Sequence, residues 1–472
     1  MAPIGLCTIS AIARQEGHEV CLCETNQENP LACIAKLKPD VVAYSSSTGE
    51  AKHYIRINQA VKERFPHIFT IMGGPHPTFY SLELLSQNTL DAICVGEGEW
   101  AFADLLRSLS SGSAASGIPN ILTKTDTSLT IRNLVEDLDS VPFPDYGLFY
   151  DTTPMGKAPL KPFMASRGCP YSCTYCFNSA WRKLYSGCGK VIRRHSVDYV
   201  IEDIGKVKDK WPLSSIKFED DVFTYRADGW LEEFSRKYRQ HIGLPFFILT
   251  RCDLLTEDMV KLLKYAGCQS ISMSIEAGNP QIREEMLKRR MSNEQIIAAH
   301  RLCEKYGIYT FTNCILGLPG ATIAHDIESL DLSLESRVTW AEFPIFFPYP
   351  KTELGDYTIN AGMYVPDYDR MHSSCQFSSP LISFTEKEKK VQRNLALLGS
   401  VAVVFPRLRN LIVKYLIHWP PNRFFILLYW IAKQRVIPNK IYVTKTNFWE
   451  SLRINLRSLR QAMFQHTEEK EV

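Results

Sequence analysis

Ser166-Arg-Gly-Cys-Pro-Tyr-Ser-Cys-Thr-Tyr-Cys-Phe-Asn178 is the segment from which the rest of the chain can be read. It follows a short apolar run, Pro162–Ala165, and sets Cys169, Cys173 and Cys176 at spacing C-x3-C-x2-C on one loop. Three thiolates on so short a loop can converge on a single metal centre. Four would close a structural zinc site, whereas three leave a coordination position open. Zinc with a remote fourth ligand is the alternative reading of the same residues. Around this loop, strand and helix patterns alternate. Strands are expected at Pro162–Ala165, Ser215–Phe218, Pro245–Leu249, Ser270–Ile275, Thr310–Leu316 and Trp340–Phe347. Helices are expected at Val197–Lys210, Gly229–Gln240, Glu257–Tyr265 and Glu294–Tyr306. Six β/α units over residues 155–380 predict a partial (β/α)6 barrel with its chemistry at the carboxyl ends of the strands.

Residues 1–117 show the same alternation, with apolar β-rich runs at Val20–Cys23, Val41–Tyr44, Ile68–Met72 and Ala92–Val95. Helical stretches such as Ala51–Arg64 and Trp100–Leu109 separate them, which predicts an α/β domain with a doubly wound parallel sheet. The chain opens on a helical stretch, Leu6–Gln15, so the first strand of such a sheet is missing. In this sheet order that strand would lie centrally, and the gap reads as a truncated gene start. Ser108–Gly117 has linker composition, and residues 118–154, with the turn Val141-Pro-Phe-Pro-Asp145, are expected to bridge the two domains.

Composition narrows the class. The 472 residues are 45% hydrophobic and 22% charged, which excludes disordered and collagen-like chains and predicts two or three domains. A net charge of +3 gives no global nucleic-acid signature. Fourteen cysteines are too sparse for a disulfide scaffold, and Met1-Ala-Pro-Ile-Gly5 lacks the charge and apolar core of a signal peptide. The expectation is a cytoplasmic protein with reduced thiols. Residues 381–472 form a helical, aromatic and basic tail: from Val401 to His466 eleven Lys/Arg face one acid, Glu450. Its longest apolar run, Phe424–Ala432, is far short of the ~20 residues a spanning helix needs. A barrel-closing helix set or lid, an interfacial membrane contact around Phe424–Trp430 with Arg423 and Lys433, and, third, nucleic-acid binding are the readings of this tail.

The cysteine loop, with Tyr175 before its third cysteine, resembles that of the radical S-adenosylmethionine (SAM) superfamily. The resemblance implies that Cys169, Cys173 and Cys176 hold a [4Fe–4S] cluster whose fourth iron is chelated by SAM. Reductive cleavage of SAM then gives a 5′-deoxyadenosyl radical. Tyr175 would pack near the adenine. Phe218-Glu-Asp-Asp-Val-Phe223 ends the second strand, where the family places polar groups for the methionine ammonium, which implicates Glu219 or Asp220. Ser274-Ile-Glu-Ala-Gly278 resembles the family's Gly-x-Glu-Ser/Ala-Gly element and makes Glu276 a cofactor contact. Ile315-Leu-Gly-Leu-Pro-Gly-Ala-Thr322 resembles the fifth-strand turn, with Gly317 and Gly320 permitting close approach. Ala321 and Lys351 depart from the family's acidic residue and glycine at those positions. The other eleven cysteines show no comparable cluster.

The amino-terminal half resembles the cobalamin-binding domain that precedes this barrel in many such enzymes. The resemblance rests on Pro3-Ile-Gly-Leu6 with Gly17-His-Glu-Val20, then Ser45-Ser-Ser-Thr48, Gly73-Gly-Pro-His-Pro77 and Gly96-Glu-Gly-Glu99. Pro3, Gly5, Ser45, Thr48, Gly73, Gly74, Gly96 and Glu97 become cobalamin contacts by that likeness. No Asp-x-His-x-x-Gly supplies a lower cobalt ligand, and His76 follows the wrong strand for one. The missing strand weighs against tight cobalamin binding and implies that the strand-end loops lack a fixed separation. Together the resemblances imply methylation of an unactivated carbon on a small or lipophilic substrate, with a low-potential donor such as ferredoxin or flavodoxin. An oxidative cyclase resembling the magnesium-protoporphyrin monomethyl ester enzyme, a ring-rearranging enzyme and a non-enzymatic cobalamin-binding regulator are the alternatives. No catalytic side chain is assigned beyond the cofactor contacts.

Overall fold

The computed structural model describes residues 1–87, 89–349, 351–367 and 378–444. The distal basic stretch 445–466 and Glu450 lie outside them. The chain divides into two compact units.

The first unit comprises Met1–Lys157 with Ala180–Arg193 and the short segment from Pro366. Its sheet contains β1 (Val41–Ser45), β2 (Phe69–Gly73), β3 (Ala92–Cys94) and β4 (Ile121–Thr123), in that spatial order. The first three are parallel and β4 is antiparallel to β3. Helices α1 (Ile4–Gln15), α2 (Pro30–Leu37), α3 (Ala51–Arg64), α4 (Pro75–Phe79), α5 (Ser81–Gln87), α6 (Glu99–Ser110) and the short α7 (Gly147–Tyr150) surround it. Asn29 caps α2 by accepting from Leu31 N and Ala32 N (3.0 and 3.2 Å), with Pro30 in the first turn. Neighbouring strand residues alternate between two faces. Ile71 and Cys94 pack with Phe102 and Leu105, whereas Met72 and Ile93 pack with Leu84 and Leu85.

Two expectations are corrected. Val20–Cys23 is not a strand: the pairing partner a doubly wound sheet would give it is absent, and β1 is the sheet edge. Residues 118–154 are not a free linker. They supply β4, and Val135, Leu138 and Val141 form a small core with Trp100.

The second unit holds Ala158–Ser179 and Arg194–Val365 with the carboxyl-terminal helices. Its strands are β5 (Leu160–Phe163), β6 (Ser215–Phe218), β7 (Phe246–Leu249), β8 (Cys268–Ser272), β9 (Tyr309–Asn313) and β10 (Trp340–Glu342). They form one parallel six-stranded sheet in sequential order, β5 at one edge and β10 at the other. Pro162, which lacks a backbone donor, sits on the β5 edge, where a strand tolerates it. The helices are α8 (Phe177–Leu184), which crosses into the first unit, α9 (Val197–Lys210), α10 (Gly229–His241), α11 (Glu257–Ala266), α12 (Asn293–Lys305), α13 (Ile323–Glu335) and α14 (Glu353–Asn360). Phe218, Phe223, Phe234, Tyr238 and Phe246 are all fully buried and fix α10 against β6 and β7.

Helices α15 (Glu386–Val404), α16 (Arg409–Lys414) and α17 (Arg423–Val436) follow. α15 lies along β10, where Ser400 Oγ donates to Ala341 O (2.7 Å). Beyond α17, Ser270 Oγ donates to Ile441 O (2.7 Å) and Tyr442 packs on Phe247, so this region packs against the middle strands of the sheet. Among the described residues no helix is long and apolar enough to cross a membrane.

Gly278 ends the turn after β8, and a Cβ there would lie 2.3 Å from the Glu328 carbonyl on α13. Because the obstacle is backbone, Gly278→Ala should cost about 1–3 kcal/mol by forcing strand end and helix apart. Urea unfolding measures this; an unchanged midpoint would mean that α13 yields freely.

Candidate active site

The cysteine loop is pinned at many points. Asp220, at the end of β6, accepts from Ala165 N (3.1 Å) and from the Ser166 hydroxyl, fixing the chain as it leaves β5. Tyr225 Oη donates to Gly168 O (3.1 Å), Thr174 N and Oγ1 donate to Leu287 O and Met286 O (3.3 and 2.6 Å), and Leu354 N donates to Thr174 O (2.9 Å). Asn178 Nδ2 donates to Asp221 Oδ1 (2.8 Å).

Within this frame Cys173 is buried and Cys169 and Cys176 are half-buried. Burial pushes the Cys176 thiol up to about 12, with the two other cysteines adding to the effect, and raises Cys169 likewise. Thiols that so oppose one another's ionisation surrender their protons to a bound cation. Two buried guanidiniums flank Cys173: Arg251 Nη1 and Arg289 Nη1 each stand 3.9 Å from its sulfur. Arg251 is held by Asp253 (2.9 and 3.0 Å) and stacks over Tyr171, 3.7 Å from the ring centroid. Arg289 Nη2 donates to Ser274 O (2.7 Å).

Across the loop, Glu276 is buried with φ +66°, a left-handed conformation that aims its carboxylate away from the usual strand direction. It accepts from Tyr175 Oη (2.9 Å). Burial raises its carboxyl above the ordinary range, and Arg289 and the Tyr175 hydroxyl offset part of that rise. The Tyr175 hydroxyl, expected beside an adenine, is thus engaged by Glu276.

The three acids after β6 divide. Glu219 pairs with Lys217 on its own strand (2.8 Å), and Asp220 is committed to the loop backbone, so neither stands free for an ammonium as expected. Asp221 acts on Cys169 and Cys176. Gly317 is also corrected. A Cβ there would meet Gln392 of α15 at 3.0 Å, so the chain's own side chain covers the turn, while Asp326 accepts from Gly317 N (3.0 Å). Gly320 opens onto free space.

In the first unit the loops after β1 and β2 are knit together without any further strand. Ser46 N donates to Gly73 O (3.0 Å) and His76 N to Ser46 O (3.1 Å), so the expectation of loops without fixed separation does not hold. Ser45 and Thr48 lie on the first loop and Gly73 and Gly74 on the second. Gly74, at φ +102°, brings its Cα face within 2.9 Å of Ser46 O as a Cβ would measure it, which excludes other residues. Pro3 precedes α1 and Gly5 lies in open space. Two further candidates are taken by the chain itself: Tyr185 Oη fills the space over Gly96, 2.0 Å from where a Cβ would stand, and the Glu97 carboxylate pairs with buried Arg193 (2.8 and 2.9 Å). Burial lowers His76 to about 4, keeping it neutral. Cys23, Glu28 and Cys33 place their ligand atoms within 4.8 Å of one another, a grouping that the sequence reading did not anticipate.

The radical SAM superfamily profile matches residues 164–332, and the B12 binding domain profile matches residues 1–106. The chain carries a radical SAM domain and a B12-binding domain. An uncharacterised methyltransferase of Pyrococcus horikoshii is 27% identical over 400 residues, covering 82% of this chain and 84% of the relative. The anaerobic magnesium-protoporphyrin IX monomethyl ester cyclase of Rubrivivax gelatinosus is 27% identical over 335 residues, covering 68% of this chain and 59% of the cyclase. The fold matches the radical SAM methyltransferase TsrM of Kitasatospora setae at TM-score 0.66 and 14% identity, over 98% of this chain and 96% of that one.

The radical SAM domain implies a [4Fe–4S] cluster and SAM, and the B12-binding domain implies cobalamin. The donor set fits the cluster. Two cations beside Cys173 suit a thiolate-bound centre that is anionic overall, and it is the radical SAM domain that favours the cluster over zinc at these three thiols.

Asp220 gives the site a pH signature. Burial pushes its carboxyl from the ordinary 3.8 up to about 7. The folded state therefore holds a proton that the unfolded chain releases, so this contribution is complete below about pH 4 and is lost as pH rises toward 7. Asp220→Asn should flatten the fall in urea-unfolding stability across that window, leaving the shares of Asp326, which burial also raises to about 7, and of Asp221 and Glu276, which burial raises as well. Equal slopes in the two proteins would show that Asp220 does not hold the proton.

Proposed function

We propose that this radical SAM enzyme methylates an unactivated carbon of a small, lipophilic substrate, with Cys169, Cys173 and Cys176 as its cluster ligands. The observation that carries the reading is the three-thiol loop held between the Arg251–Arg289 pair and the Tyr175–Glu276 pair, in a chain that also bears a B12-binding domain. Methyltransferases among the relatives support it, including the hopanoid C-3 methylase of Methylococcus capsulatus, 26% identical over 300 residues, 61% of this chain and 56% of that enzyme. When bound, the cluster with SAM supplies a 5′-deoxyadenosyl radical, and cobalamin carries the methyl group.

The chain's own residues bind, orient and shield. The cysteines anchor iron through thiolates, and Arg251 and Arg289 set positive potential at Cys173. Glu276, fixed by Tyr175, offers a carboxylate to SAM across the loop, while Asp221 presents a negative charge to an ammonium near Cys169. Gln392 packs over the Gly317 turn. Electrons enter from a low-potential ferredoxin or flavodoxin.

Anaerobically reconstituted enzyme should show about four irons per chain with broad visible absorption, and both should be lost in the triple Cys→Ala variant. Glu276→Ala should keep the iron but weaken SAM binding by about tenfold to a hundredfold, the worth of one charged hydrogen bond. With SAM, reductant and candidate lipids, methylated product supports the proposal. Deoxyadenosine with an oxidised, unmethylated product would favour cyclase-type chemistry instead.

A further inference from the structure

Seven of the seventeen exposed large hydrophobic side chains among the described residues fall between Phe405 and Ile431. The other ten are scattered along the rest of the chain. Trp419 and Phe424 are 55% and 59% exposed, and Leu408, Leu411, Tyr415 and Ile431 are exposed with them. Such a concentration of large apolar groups on water is a cost that a soluble surface avoids, and it marks a contact face.

The exposure is built, not frayed. Asn394 of α15 donates through Nδ2 to Ile417 O and Trp419 O (3.0 and 2.7 Å), which fixes the turn that presents Trp419. α17 packs on α15 with Phe425, Ala432 and Val436 buried. Its outward stripe, Phe424, Leu428, Ile431 and Arg435, follows the i, i+4, i+7, i+11 spacing of one helix face. α17 thus carries apolar side chains on its outward side as well as its packed side, with Phe424 and Ile431 exposed and Leu428 half-buried, and among the described residues only the packed side is covered. The Arg435 guanidinium lies 5.9 Å from the Phe405 ring centroid, so the segment after α15 and the end of α17 are neighbours.

Charge identifies the occupant. From Phe405 to Val436 the chain has six Lys/Arg and no Asp or Glu. Arg409 is paired with Asp331 and Lys433 with Glu342. Arg407, Lys414, Arg423 and Arg435 form no ion pair among the described residues. Exposed Trp, Tyr and Phe interleaved with cations that have no acidic partner among the described residues suit the boundary between headgroups and acyl chains, where aromatic rings are half-immersed and cations meet lipid phosphate. The 14 residues of α17 are too short to cross the hydrocarbon core, so the face can only lie on it.

We propose that the exposed apolar and basic face of residues 405–435 docks this protein on an anionic lipid membrane surface. The contact adds a binding surface that the radical SAM and B12-binding chemistry does not require.

The test is co-sedimentation of the full-length holoenzyme with vesicles of phosphatidylcholine alone and of phosphatidylcholine with phosphatidylglycerol. Binding is expected to the anionic vesicles and to weaken as salt rises. The double variant Trp419→Ser/Phe424→Ser, with unchanged circular dichroism and iron content, should lose at least about tenfold in partitioning. Arg423→Gln/Arg435→Gln should lose most of the preference for anionic lipid and its salt dependence. The proposal is overturned if protein stays in the supernatant with both vesicle types, if neutral vesicles bind equally well, or if the apolar variant binds like the parent. It is also overturned if sedimentation velocity shows a dimer that the apolar variant dissociates, since a second copy would then cover the face. Retention by nucleic acid in place of vesicles would do the same.

Discussion

A buried thiol flanked by two buried guanidiniums at 3.9 Å is electrostatically incomplete in isolation, because the charges stand in a region where water cannot screen them. The neighbouring groups supply only part of the compensation. Asp253 neutralises Arg251, and Glu276 lies close enough to Arg289 for their charges to interact, but the sulfur between them remains the natural place for further negative charge. That demand organises the second unit. The cysteine loop, the turn after β8 and the stretch carrying Arg289 must all meet at Cys173, and Thr174 ties two of them through its bonds to Met286 and Leu287. A cluster of thiolate and sulfide meets the demand, and the same cations would then favour its more reduced, more negative form.

The three consecutive acids after β6 show how one sequence feature divides into separate tasks. Glu219 and Lys217, two residues apart on one strand face, neutralise each other. Asp220 is one residue further on, turns inward and holds the start of the cysteine loop. Asp221 faces the cysteines and holds Asn178. Identity of residue type is the same throughout; the difference is the direction each side chain takes as the strand ends. The left-handed backbone at Glu276 serves a comparable purpose, paying local strain for a carboxylate aimed at Tyr175.

Legibility followed the range of the interaction. Strand and helix positions in the barrel were readable because they depend on local periodicity: Ser215–Phe218 and Val197–Lys210 have the same limits in sequence and structure. The three cysteines were legible as a group because they share one loop. Arg251 and Arg289 were not, since nothing in their local sequence shows that they meet Cys173, 78 and 116 residues away. Gly96 and Gly317 looked like openings for a cofactor because glycine marks close approach without naming what approaches. In each case the occupant is a distant side chain, Tyr185 or Gln392. Val20–Cys23 has the composition of a strand, but a strand exists only with a partner, and among the described residues it has none.

The carboxyl-terminal helices join two parts of the second unit that sequence alone keeps apart. Gln392 and Asn394 are two residues apart on α15 and so project from nearly opposite sides of the helix. The first packs over the Gly317 turn at a strand end of the barrel, and the second grips the carbonyls of Ile417 and Trp419 beside the exposed aromatic face. Both are fully buried, so neither contact can shift without displacing α15 itself. One helix diameter therefore separates the grip on the Trp419 turn from the side chain that packs over Gly317. Gln392 and Asn394 each leave the amide oxygen buried without a partner, but the bond from Gln392 to Asp326 is long at 3.4 Å whereas those from Asn394 are 3.0 and 2.7 Å, so Gln392 is the less firmly held of the two.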